Sequence, residues 1–236
     1  DKMVGKTEVA LYGLAYSIGM LVQLFISGMN SALTPWMYSK IKKGDIRSMR
    51  KVLQLLSIVV VGIAVALMLI SPELVLIFGS PKYREAVYVI PPVAASVFFI
   101  FIYNILSMPQ FYYEKTQFLM VASMAAAGAN VVLNFIFIRL FGYIAAGYTT
   151  LACYMLYSVG HYIVSKRILV NEGIQENLMN PGFLLACSVF LIGASIICNL
   201  IFPYRLLRYA ILLASAGLVF WKKELLLKTM ADIRKK

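Results

Sequence analysis

The chain has 236 residues, 61% of them hydrophobic and only 14% charged, with a formal net charge of +12. A soluble domain carries about 25% charged residues, so a protein living wholly in water is excluded. The positive balance does not point to nucleic acid either, because the basic residues sit in short loops between apolar blocks and at the C-terminus.

The apolar blocks reach the roughly 20 residues that a helix needs to span a bilayer. They are continuous and do not alternate apolar with polar as barrel strands do. The expected fold class is therefore all-α, a polytopic membrane helix bundle of about seven transmembrane helices. Its spans fall at roughly 9–36, 52–71, 86–109, 117–138, 144–164, 183–202 and 205–221. Residues 1–236 read as a single transmembrane domain: a five-helix portion of a lobe over 8–165, two additional peripheral helices over 182–222, and a basic tail over 223–236. The first block is longer than a bilayer requires, and Pro35 is expected to bend or end it.

Lys and Arg set the orientation. Lys40, Lys42, Lys43, Arg47, Arg50 and Lys51 cluster in the first loop, Lys115, Lys166 and Arg167 fall on the same side, and the tail adds six more. The opposite side holds Lys2, Lys6, Lys82, Arg84, Arg139, Arg205 and Arg208. The side with fifteen is expected to be cytoplasmic, which puts the N-terminus outside and the C-terminus inside. Trp36, Tyr38, Tyr112, Tyr113, Tyr162 and Trp221 at inner ends, and Tyr88, Tyr143, Tyr148, Tyr204 and Tyr209 at outer ends, form the matching aromatic belts. An odd number of spans with the N-terminus outside, behind a start of Asp1-Lys2-Met3, is the pattern of the C-terminal portion of a longer protein. The first-loop cluster is suited to anionic lipid.

No acidic residue falls in the middle of a predicted span, and intramembrane carboxylates are the usual ion or proton sites. Uncharged polar residues recur instead at helical spacing. Tyr12, Tyr16, Gln23, Ser27, Asn30 and Thr34 share a face of the first span. Ser96, Tyr103, Ser107 and Gln110 share one in the third, with Asn104 beside it. Asn130 and Asn134 lie one turn apart in the fourth, with Ser123 close in phase, and Thr150, Tyr154, Ser158 and His161 line up in the fifth. The other three spans have no such stripe and are expected to pack outside these four.

Two readings stand for the stripes. They are hydrogen-bonding contacts between helices, or they line a hydrated cavity. On the second reading the cavity residues are Tyr12, Tyr16, Gln23, Ser27, Asn30, Tyr103, Ser107, Asn130, Asn134 and Tyr154. His161, the only histidine, is either a protonation site or a solvated residue near the inner end of its span. Cys153, Cys187 and Cys198 lie in apolar stretches without CxxC or His company and read as buried free thiols, with no metal site.

Glu8-Val9-Ala10-Leu11-Tyr12-Gly13-Leu14-Ala15-Tyr16 resembles the opening of a span in bacterial polysaccharide and O-antigen flippases, the Wzx-type proteins of the multidrug/oligosaccharidyl-lipid/polysaccharide exporter superfamily. Pro35 and Gly44-Asp45 stand where that family ends the span and turns. Leu74, Phe78-Gly79, Tyr83 and Ala86 resemble its outer loop, and Asn134 with Gly142-Tyr143-Ile144-Ala145-Ala146-Gly147 its later hairpin. There the family more often has Gly at the place of Ala145 and Ala at that of Gly147. The match runs through 8–150; residues 180–236 match only as two further spans.

The resemblance implies the C-terminal part of a two-lobed flippase fold in the bacterial cytoplasmic membrane. It implies a transporter rather than an enzyme, with no catalytic residues and no cofactor. The cargo would be an undecaprenyl-diphosphate-linked oligosaccharide, a repeat unit of O-antigen, capsule or exopolysaccharide, moved by alternating access. Partners would be that lipid-linked oligosaccharide, membrane lipids, and the polysaccharide polymerase and glycosyltransferases of the same pathway. Arg84 and Arg139, at the outer edge, would suit the diphosphate, or are ordinary interfacial cations.

A seven-helix photosensor needs a mid-membrane Lys in its last span, and 205–221 has none. A membrane polymerase or ligase needs acids or bases in a large outer loop, whereas the outer loops here are short, with only Glu73 and Glu85. A multidrug exporter of the same superfamily is the closer alternative.

Overall fold

A computed structural model describes residues 5–221. The described residues form seven α-helices, with no strand among them: α1 (Lys6–Lys42), α2 (Ile46–Phe78), α3 (Ile90–Tyr112), α4 (Gln117–Phe141), α5 (Ala145–Asn171), α6 (Pro181–Ile201) and α7 (Arg205–Trp221). A 3-10 segment, Pro81–Tyr88, joins α2 to α3. Five of the seven, α1 to α4 and α6, are long and apolar enough to cross a membrane. Helix α5 has the length, but Tyr148, Thr149, Thr150, Tyr154, Tyr157, Ser158, His161 and Tyr162 dilute its apolar character; α7 is described over 17 residues. The predicted tail, Trp221's side chain and Lys2 lie outside what is described.

Helix α3 is the hub. Every residue from Ile90 to Ile102 is buried, as expected of a stretch that is apolar on all sides. Helices α1, α2, α5 and α6 pack around it, α4 packs on α5, and α7 packs on α2 and α6. Two glycines allow the closest approaches. A Cβ on Gly19 would lie 2.5 Å from Val93 Cγ1, and one on Gly147 would lie 2.9 Å from Pro92 Cγ. Without side chains there, α1 and α5 press directly against α3, the small-residue packing that membrane helices use. Several buried hydroxyls are satisfied within their own helix, as suits a water-free surrounding: Ser57 donates to Leu53 O, Ser96 to Val93 O and Ser195 to Ile192 O.

Helix boundaries depart from the sequence reading in several places, among them the C-terminal part of α5, which runs past the expected 164 to Asn171. Helix α1 runs through Pro35 to Lys42, because a proline on an exposed face costs one ladder hydrogen bond and need not stop a packed helix. The expected loop 40–51 shrinks to a turn at 43–45, with Asp45 accepting from Ser48 N at 3.2 Å as the cap of α2. Helix α2 likewise continues through Pro72, so Glu73 lies in the helix and not in an outer loop. Pro72 cannot donate to the ladder, and the Ser71 hydroxyl donates to Met68 O instead, at 2.8 Å.

That extension brings Glu73 to Arg208 of α7. Arg208, which the sequence reading counted among the basic residues of the outer side, is only 3% exposed. Its Nη1 and Nη2 each lie 2.8 Å from a Glu73 carboxylate oxygen, and Nη1 also donates to Leu69 O at 2.6 Å. Tyr209 donates to the same carboxylate at 3.0 Å.

Candidate functional site

Helices α1, α3, α4 and α5 line an open-sided cavity of about 450 Å³. Its lining is Tyr12 and Tyr16 from α1, Tyr103 from α3, Ser123, Ala126, Ala127 and Asn130 from α4, and Thr150, Cys153, Tyr154 and Tyr157 from α5. None of these residues is charged, so the cavity presents phenols, hydroxyls and an amide without a fixed ion.

Helical spacing puts the rings where they are. Tyr12 and Tyr16, one turn apart, stack at 5.9 Å between centroids, and the Tyr12 hydroxyl meets Thr150 Oγ1 at 3.3 Å to bridge α1 and α5. Tyr103 lies parallel to Tyr154, 6.3 Å away and 4° off plane, and edge-on to Tyr157 at 4.7 Å. Both geometries are favourable for aromatic pairs. Tyr157 also shares a 2.8 Å hydrogen bond with Ser123 across the α4–α5 seam.

On the α4 wall, Asn134 donates to Asn130 Oδ1 at 2.9 Å and accepts from Thr149 of α5. The remaining donor of Asn130 reaches only the Cys153 sulfur, at 3.7 Å. Thiols are weak acceptors, which leaves that amide available to a ligand.

The stripe predicted for α1 divides. Tyr12 and Tyr16 line the cavity together with Tyr103, Asn130 and Tyr154, while Asn134 supports it from just outside. Gln23, Ser27 and Asn30 share the face of Tyr12 but lie beyond the cavity, Ser27 exposed and the other two half-buried. Asn30 Oδ1 is buried without a hydrogen-bond partner. Ser107 is buried and donates to Asn104 O, and does not reach the cavity. Arg84 is exposed in the 3-10 segment, and Arg139 is exposed at the end of α4 with its guanidinium 3.8 Å from the Phe135 ring. His161 is fully buried below the tyrosines, its ring 4.5 Å from that of Tyr157.

At the turn between α4 and α5, Tyr143 donates to the Glu85 backbone carbonyl at 3.4 Å and lies 3.5 Å from its carboxylate. Burial, and then the neighbouring Glu85 charge, push the phenol up to about 12. It stays a neutral donor holding the 3-10 segment to the α4–α5 turn.

The sequence reading missed Ala126, Ala127, Cys153 and Tyr157 as lining residues, although the spacing of three between Tyr154 and Tyr157 puts both on neighbouring positions of one helix surface. Among the described residues no group of three or more His, Cys, Asp or Glu could hold a metal, and the three cysteines are free thiols.

The MatE family model matches residues 2–136, which takes in α1, α2, α3 and most of α4. No curated protein matches the chain, and no solved structure does.

Proposed function

The chain belongs to the MatE family of membrane transporters, and from that premise we propose that it moves an undecaprenyl-diphosphate-linked oligosaccharide across the bacterial cytoplasmic membrane. The observation that carries this reading is the uncharged, tyrosine-rich cavity with its amide wall. Sugars offer hydroxyls to amides and phenols, and C–H faces to aromatic rings, and need no counter-charge. The cavity size falls in the range of small-ligand sites, about 300–1,000 Å³. Gln23, Ser27 and Asn30 extend the polar surface along α1 toward the inner side. Helix α4, whose outer surface exposes Met120, Val121, Met124 and Val131, leaves the lipid tail in contact with the bilayer. Arg84 and Arg139 at the outer edge suit the diphosphate.

This reading takes α5 and α7 as crossing with the other five helices, the N-terminal side of α1 outside. Alternating access would then need a second lobe facing the open flank between α1 and α4. The pathway's polymerase and glycosyltransferases would be its partners.

One observation favours a second reading, a multidrug exporter. Five phenol rings around one cavity would hold an organic cation by cation–π attraction. The absence of a carboxylate from the lining argues for the sugar.

Deleting the gene in its host separates the two. Lipid-linked oligosaccharide should remain on the inner leaflet, closed to a periplasmic glycosidase. A normal leaflet distribution with raised sensitivity to organic cations would replace the flippase reading with the exporter.

A further inference from the structure

Below the cavity, Gln110 of α3 and His161 of α5 form a buried pair, both 0% exposed. Gln110 Nε2 lies 2.8 Å from His161 Nδ1. The other polar atom of each, Gln110 Oε1 and His161 Nε2, is buried with no hydrogen-bond partner. So is the hydroxyl of Ser165, one turn further along α5 toward its inner end. Native interiors satisfy such atoms with few exceptions, and each exception needs a reason.

The reason offered by the chemistry is protonation. With the amide nitrogen donating to Nδ1, the ring is neutral and carries its hydrogen on Nε2. If Nδ1 takes a proton from a hydronium ion, leaving water, both ring nitrogens become donors. Turning the Gln110 amide by half a rotation then presents Oε1 as the acceptor. An amide serves both states of the ring; a carboxylate or an alkyl side chain at this place would serve only one.

Tyr103 and Tyr157 join the pair to the cavity. Their rings line the cavity and also pack on the imidazole, at 5.8 and 4.5 Å, while Phe118 of α4 closes it at 5.3 Å. These rings and Gln110 are the groups facing His161. Of them only the two phenols titrate, and among the described residues no ion pair involves His161. A charge is costly in a dry site and tolerated in a wet one. Movement of Tyr103 or Tyr157 as cargo enters therefore changes whether the ring can carry a proton.

We propose that His161 and Gln110 form a proton-binding site whose occupancy is coupled to the tyrosine cavity above it. The coupling rests on the reading of that cavity as the cargo site; the proton site itself does not.

The first arm of the test reads the proton directly. The intact protein with ¹⁵N-labelled imidazoles is titrated by NMR from pH 4 to 9, with His161 assigned by its loss in His161→Gln. The ring should titrate, and its midpoint should move up by about one pH unit in Gln110→Glu and down by about one in Gln110→Leu. A ring that does not titrate, or that ignores both changes, overturns the site. The second arm reconstitutes the protein in liposomes with a fluorescent undecaprenyl-diphosphate disaccharide and an imposed pH gradient. The rate of flipping should depend on the gradient in the wild type and be flat in His161→Gln, whatever its level. A variant that keeps the gradient dependence refutes the coupling. If the wild type flips nothing, the cargo reading falls, and the titration still decides the proton site.

Discussion

Arg208 grips Glu73 with both guanidinium nitrogens at 2.8 Å, and so fastens α7 to α2 close to the interruption that Pro72 makes in the α2 ladder. The fork geometry is the strong form of an ion pair. Because Arg208 is buried, removing its partner strands a charge. Glu73→Leu should cost about 3 kcal/mol, read as a lower unfolding midpoint in detergent. Glu73→Leu with Arg208→Leu should recover most of that loss. A double variant whose loss equals the sum of the losses of Glu73→Leu and Arg208→Leu would show that the pair contributes no coupling.

The close approach of α5 to α3 gives a second test. Gly147→Ala would put its Cβ 2.9 Å from Pro92 Cγ and 3.3 Å from Val89 O. Neither atom belongs to a flexible side chain, so the helices must separate. Overpacking of this kind costs about 1–3 kcal/mol. Gly62→Ala, where nothing lies within 4 Å, should not lower the midpoint in the same measurement.

Thiol labelling checks the path along α1. In a background lacking Cys153, Cys187 and Cys198, cysteines at Tyr16, Asn30 and Asn130 should react with small water-soluble reagents, and one at Val121 on the exposed flank of α4 should not. Asn30→Leu should leave folding intact, because Asn30 Oδ1 has no partner to lose and membrane hydrogen bonds average only about 0.6 kcal/mol. Transport by the same variant should fall. Lost expression with unchanged labelling would make Asn30 a structural residue.

Topology is decided by five further positions. Cysteines at Lys43, Lys115 and Asn171 should label from the cytoplasmic side, and those at Ser80 and Phe141 from outside. Phe141 and Asn171 flank α5, so labelling of that pair from one side would mean that α5 does not cross.

Much of this architecture was legible because bilayer length and apolar continuity are properties of single segments. The helices α1, α3, α4 and α5 were each predicted, as was the polar face that carries Tyr12, Tyr16, Tyr103, Asn130 and Tyr154. What periodicity lacks is the crossing of one helix over another. Gln23 and Tyr12 share a face of α1, yet only Tyr12 reaches α5, through Thr150, and no spacing rule contains that contact. The Glu73–Arg208 pair was hidden for a related reason. The predicted span stops at 71, whereas α2 stays helical through Pro72 to Phe78 and packs on α6 and α7 as well as on α1 and α3. The burial of Gln110 and His161 follows from the packing of α3, α4 and α5 around them, and the two residues themselves stand 51 positions apart.

Helix α4 has no buried residue, although it forms one wall of the cavity. It is held to α5 by polar contacts at Ser123, Asn130 and Asn134, while the apolar core lies around α3 behind it. The two sides of the cavity therefore differ in what their displacement costs. Shifting α1 or α5 against α3 would open packed side chains over several turns. Tilting α4 exchanges a few hydrogen bonds for others, which water or a sugar can supply. The wall that is cheapest to move is the one whose outer surface already belongs to the lipid.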